Sequence, residues 1–146
     1  MQNINKIADY IIWLHHESGD VITNLRLQKL LYYAQAWYLV LNDEPLFKDD
    51  FEAWIHGPVM PSIYKRFKSY KWNPINEEIK KPKLSEKVEK HLDEIVRVFG
   101  KFSSLDLEYM THREAPWVKA RNGCMPDEVS SAQIDKEEMK SFYKSL

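Results

Sequence analysis

Cysteine and glycine are scarce in this chain of 146 residues, which has one cysteine, Cys124, and 4 glycines. A lone cysteine excludes an internal disulfide framework and a cysteine-rich zinc site. So few glycines leave no backbone loop able to wrap a phosphate, and neither G-x-x-x-x-G-K-[ST] nor G-x-G-x-x-G occurs. No stretch approaches the roughly 18 uninterrupted apolar residues of a membrane span. The start, Met1-Gln2-Asn3-Ile4, lacks the basic and apolar regions of a secretory leader. No serine sits in a G-x-S-x-G elbow. His112-Arg113-Glu114 has the H-x-E of zinc deaminases without their P-C-x-x-C pair, and His15-His16-Glu17 lacks the spacing of H-E-x-x-H. These absences lead to the expectation of a cytoplasmic, soluble protein with no membrane contact, no metal and no cofactor.

What is present is a globular composition, 44% hydrophobic and 13% aromatic. A chain of this length buries roughly two-thirds of its unfolded surface and needs no staple, so a single domain over residues 1–146 is expected. Net charge is −4 over residues 1–60, +5 over 61–121 and −2 over 122–146. An overall charge of −1 and a pI near 6.5 argue against a dedicated nucleic-acid binder, although the 61–121 region leaves a moderately basic face. Leu25-Arg26-Leu27-Gln28-Lys29 superficially matches the start of a recognition helix, but a recognition helix needs a polar face, and from Leu30 onward there is almost none.

Hydrophobic periodicity predicts a mainly α protein, a helical bundle around a buried central helix with one small β-hairpin. Ile4, Ile7, Ala8, Ile11 and Leu14 share one face of a first helix, capped by Asn3 and closed by Gly19. From Leu30 to Leu41 the one polar side-chain amide is Gln35, and a helix apolar all round is a buried one. Thr23 or Asn24 caps it. Gln28 and Gln35, seven apart, point to the same side; as buried amides they must bond to neighbouring backbone or help fix a polar pocket. Phe51, Ala53 and Ile55 alternate with Glu52 and Trp54 as a short strand, with Leu46-Phe47 as its expected partner. His56-Gly57-Pro58-Val59-Met60-Pro61 is expected to break regular structure, and Pro61 to open a helix. Residues 71–83 read as an irregular connection. Ser85 caps a helix with Val88, Leu92, Ile95, Val96 and Phe99 on one face; Ser103 and Asp106 open another that uses Leu105, Tyr109 and Met110, interrupted at His112; Pro116 opens a short one. Asp135 and Glu138 have capping-box spacing, with Ile134 and Met139 as a hydrophobic staple, before a last helix with Met139, Phe142 and Tyr143 inward. Every glycine is expected to follow a helix.

Three ordered blocks carry a resemblance. Leu25 through Ala36 resembles the N-terminal signature of the Panacea family, the SocA-like antitoxins, many of them described as phage-associated proteins. Leu46-Phe47 followed by Phe51-Glu52-Ala53-Trp54-Ile55-His56-Gly57-Pro58-Val59 resembles its W-x-x-G-P-V element. Leu107 through Arg121 resembles its T-H-x-x-x-x-W block. The resemblance implies a mainly helical fold, no catalytic activity, and an antitoxin of a toxin–antitoxin system that neutralises a cognate toxin protein by direct protein–protein contact, with a host protease as a further partner where neutralisation ends in degradation. The residues in which the blocks and the physical reading meet are Gln28, Lys29, Tyr32, Gln35, Trp54, His56, Gly57, Pro58, His112 and Trp117. Two roles stand open for them, binding the partner or locking the fold. Two other functions stay open as well: a phage regulator contacting DNA or a host protein through the 61–121 region, and a hydrolase using a His56/His112 pocket, with Cys124 as a conceivable thiol.

Overall fold

A helix with apolar side chains on every side has to be enclosed by other elements, and that requirement organises the computed structural model, which describes residues 1–146. Helix α1 spans Ile4–Glu17 and α2 spans Asn24–Asn42. A two-stranded antiparallel hairpin follows, β1 (Glu52–Trp54) and β2 (Gly57–Val59), then α3 (Pro61–Phe67) running into a 3-10 turn, Lys68–Tyr70. The remaining helices are α4 (Glu86–Phe99), α5 (Ser104–His112), α6 (Ala115–Ala120) and α7 (Lys136–Lys144). Helices α1, α3, α4, α5 and α7 and strand β2 all pack against α2. Every residue from Leu27 to Ala36 is buried, and 33 buried residues form one continuous cluster around it. The fold is thus mainly helical with one small hairpin, as the periodicity predicts.

Local signals set most boundaries. The Asn3 carboxamide accepts from Asn5 N, Thr23 Oγ1 from Arg26 N at 3.2 Å and Ser85 Oγ from Val88 N at 3.3 Å, each satisfying a helix-start amide. Ser103 and Asp106 form a reciprocal capping box. Pro61 and Pro116 lie in the first turns of α3 and α6. Asn24 does not cap α2; its side chain joins Gln28 to the Tyr64 carbonyl.

The structure corrects five expectations. Leu46-Phe47 is not a strand: the Gln35 carboxamide takes the Leu46 N–H and the Phe47 carbonyl, both at 2.7 Å, so this segment is bound to α2. The partner of β1 is Gly57–Val59, in the register Glu52↔Val59, Ala53↔Pro58 and Trp54↔Gly57. Gly57, at φ +109°, therefore lies in a strand and does not follow a helix. The capping-box spacing at Asp135 does not produce a box: Asp135 accepts from Glu137 N, while Glu138 pairs with Lys119 at 3.2 Å. Finally, α5 ends at His112, as expected, but is rotated from its expected setting. It buries Leu107 and Thr111 and leaves Leu105 and Tyr109 outside, 74% and 62% exposed.

Residues 132–134 complete the hairpin. Ala53 N donates to the Ala132 carbonyl and Ile134 N to the Phe51 carbonyl, both at 2.8 Å, so the free edge of β1 is covered by chain that leads into α7.

Candidate functional site

The residues singled out by sequence gather where α2, the hairpin and α5 meet. Lys29 projects from α2 with no exposed surface. Its Nζ donates to the Pro58 carbonyl at 3.1 Å, tying α2 to β2. Burial pushes the Lys29 ammonium down to about 7, against the pull of Glu108. Such a shift is one way to make a lysine a base or nucleophile, but this amine is sealed beneath the hairpin. Gly57 lies against it: a Cβ there would stand 2.8 Å from Lys29 Cε and 2.8 Å from Thr111 Oγ1. The absence of a side chain at Gly57 therefore allows the hairpin to sit directly on α2 and α5.

Helix α5 closes the other side. Thr111 is buried and donates to the Glu108 carbonyl at 2.8 Å. The Glu108 carboxylate meets His56 Nδ1 at 3.2 Å, where the His56 side chain, at the hairpin tip, is 70% exposed. His112 stacks on Trp117 with ring centres 4.1 Å apart, and its Nε2 is buried without a partner. Burial is the main force lowering the His112 pKa; Lys29 and His56 add to it, while Glu108 and the Ile55 carbonyl oppose it. Trp117 Nε1–H donates to the Trp54 carbonyl at 2.8 Å, and Trp54 packs edge-on against Tyr64. Hydrogen bonds and stacking thus link α6 to the hairpin and to α5.

The two glutamines act at a distance from this cluster. Gln28 Oε1 accepts from Met60 N at 2.7 Å, fixing the exit of β2, whereas Gln35 holds residues 46–47. Tyr32 belongs to a separate aromatic group. Its ring meets Phe51, Tyr33 and Tyr143 edge-on, and its hydroxyl lies 3.1 Å from that of Tyr143. The Tyr33 and Tyr143 hydroxyls donate to Glu114 Oε1 at 2.6 and 2.8 Å. Burial raises the Glu114 carboxyl above its usual range despite those two donors, and burial raises all three phenols.

Glu108, Thr111, Glu114 and Arg121 also join these contacts, although none is among the ten residues singled out by sequence. Arg121 lies four residues after Trp117, with its guanidinium 4.8 Å above the indole. It donates to the carbonyls of Ala53, Met125 and Glu128, joining the hairpin to the loop after α6. The signal for Glu108 was its i, i+4 spacing from His112 on one helix face. No group of three or more His, Cys, Asp or Glu side chains is placed to hold a metal ion, and no helix is long and apolar enough to cross a membrane. Two surface clefts, one of about 440 Å³ beside Asp50 and residues 133–136 and one of about 210 Å³ between Trp37, Leu41 and α4, contain none of the ten residues.

Residues 27–118 match the family described as antitoxin SocA-like, Panacea domain. The chain belongs to the SocA-like Panacea family. All ten residues of the three blocks fall within the stretch matched to the Panacea domain. Antitoxin SocA of Caulobacter vibrioides (strain NA1000 / CB15N) is 34% identical over 117 residues, an alignment covering 70% of this chain and 61% of that relative. The Panacea chain therefore spans under two-thirds of the curated relative's length. No solved structure matches it.

Proposed function

We propose that the protein is an antitoxin that neutralises a toxin protein by binding it. The observation that carries this reading is the 34% identity to Antitoxin SocA over 117 residues. The geometry supports it in a second way. Lys29, Gly57, Pro58, Thr111 and Trp117 are buried and spend their polar groups on one another and on backbone, an arrangement suited to holding a shape. In this proposal the three blocks lock the scaffold of a single cytoplasmic domain, and the toxin is met by its outer surface.

The experiment co-expresses the chain with the protein encoded beside it in its own genome, under separate promoters. Growth restored only when the chain is at least equimolar with its neighbour, together with co-purification of the two, is the expected result. Rescue at a small catalytic fraction of the toxin, or rescue without association, overturns the reading in favour of an enzyme. Repeating the titration in cells lacking individual proteases assigns any contribution from toxin degradation.

A further inference from the structure

Helix α5 has two unlike faces. Leu107 and Thr111 point into the molecule, and with 3.6 residues per turn the opposite side is centred on Leu105 and Tyr109, four apart. An exposed leucine alone needs no explanation. A leucine and a tyrosine in one stripe, on a helix whose inward face holds a threonine, leave much of the helix's apolar surface outside.

The charges around the stripe are also asymmetric. Its carboxylates are engaged internally: Asp106 caps its own helix through the Ser103 N–H, Glu108 meets His56, and Glu114 accepts from Tyr33 and Tyr143. The cations are not. Arg113 lies 5.1 Å from the centre of the Tyr109 ring, Lys101 lies 5.6 Å from that of Phe102, and neither has a carboxylate within ion-pair distance. The stripe is an apolar centre with the free cation of Arg113 against its tyrosine.

Its pose is fixed from behind. The contacts of Thr111 and Glu108 with Gly57 and His56 set the rotation of α5 and so decide that Leu105 and Tyr109 face outward. The buried residues and the exposed stripe are two sides of one device.

We propose that the outer face of α5, centred on Leu105 and Tyr109 and edged by Arg113, is the surface that docks the toxin, and that the docked segment is apolar at its centre and acidic where it meets Arg113. This rests on the antitoxin reading. An apolar centre supplies the energy of such a contact and the bordering charge steers and orients the encounter.

The probe is the neighbouring-gene protein of the co-expression experiment. Against it are set a Leu105→Glu/Tyr109→Glu double variant, an Arg113→Glu variant, and Trp72→Glu as a control, Trp72 being 85% exposed and outside α5. All three are expected to keep the wild-type melting temperature, because the altered side chains lie in solvent. The double variant is expected to bind at least roughly 30-fold more weakly and to lose rescue, as for residues at the centre of an interface. Arg113→Glu is expected to bind more weakly with a flatter salt dependence, and Trp72→Glu to behave as wild type. Should the wild-type chain neither bind nor rescue, the antitoxin reading fails. Should wild type and double variant bind and rescue alike, that reading stands and this surface is wrong. A double variant that rescues normally but turns a dimer into a monomer in sedimentation also overturns the proposal, in favour of a second copy of the chain as the occupant.

Discussion

Lys29 is a cation held with no exposed surface, and its carrier bond is a single backbone carbonyl. The unfolded chain keeps this amine protonated up to its ordinary value of 10.5, the folded chain only up to about 7. Between those values the unfolded state holds more protons, so stability rises with pH; below about 7 both states carry the proton and the penalty is constant. The expected outcome is that unfolding free energy, from urea titrations, climbs between about pH 7 and pH 9.5 with a limiting slope of about 1.4 kcal/mol per unit. The window closes near 10, because Tyr32, Tyr33 and Tyr143 have raised pKa values and cost stability once unfolded phenols ionise. Lys29→Met keeps the length of the side chain without the charge, and the climb should vanish. A slope unchanged in that variant would refute the assignment. Lys29 was singled out in the sequence, but not as a buried residue, since a lysine in the first turns of a helix ordinarily reaches water. Gln28 and Gln35 were more readable: the penalty on a buried amide required partners, and both found backbone.

At the scale of elements, the hairpin depends on an approach that only glycine permits. Gly57 combines φ +109° with two atoms 2.8 Å from any added Cβ. Gly57→Ala is expected to destabilise by at least about 2 kcal/mol, from backbone strain and overpacking together, and thermal melting would show it. Gly123→Ala is the contrast. It too has a positive φ, +84°, but nothing lies within 4 Å of its Cβ position, so strain acts there alone and the loss should be smaller. A larger loss at Gly123 would refute the argument from crowding. The alternation from Phe51 to Ile55 marked a strand, found at Glu52–Trp54, but misplaced its partner, because the pairing is decided by contacts with α2 far away in sequence. Gln35 removes Leu46-Phe47 from contention, and Lys29 anchors Pro58 in its place. Rotation of α5 was hidden for the same reason. Counting apolar side chains selects Leu105, Tyr109 and Met110, whereas the cleft left by Gly57 selects Thr111. Caps, by contrast, rest on neighbours within a turn, and Asn3, Thr23, Ser85 and Ser103 were all readable locally.

For the molecule as a whole, α2 is the element against which most of the others pack, so its buried stretch, Leu27–Ala36, has no route to solvent short of general collapse. Amides from Leu31 to Leu39 are expected to exchange with deuterium only through global unfolding, at the free energy found by urea. The connection at residues 71–84 has few backbone partners, among them Ile75 N to the Ile22 carbonyl at 2.9 Å, and should exchange through local opening at much lower free energy. Equal protection in both regions would contradict a central α2. Residues 132–134 and Tyr143 give this architecture a temporal consequence. They come late in the chain, yet they edge the hairpin and, with Tyr32, Tyr33 and Glu114, complete the aromatic group beside α2. While residues 132–143 have yet to emerge from the ribosome, a nascent copy has made the apolar α2 segment but lacks the parts that shelter it. Its core closes only once those residues are out, and until then α2 is open to chaperones and proteases.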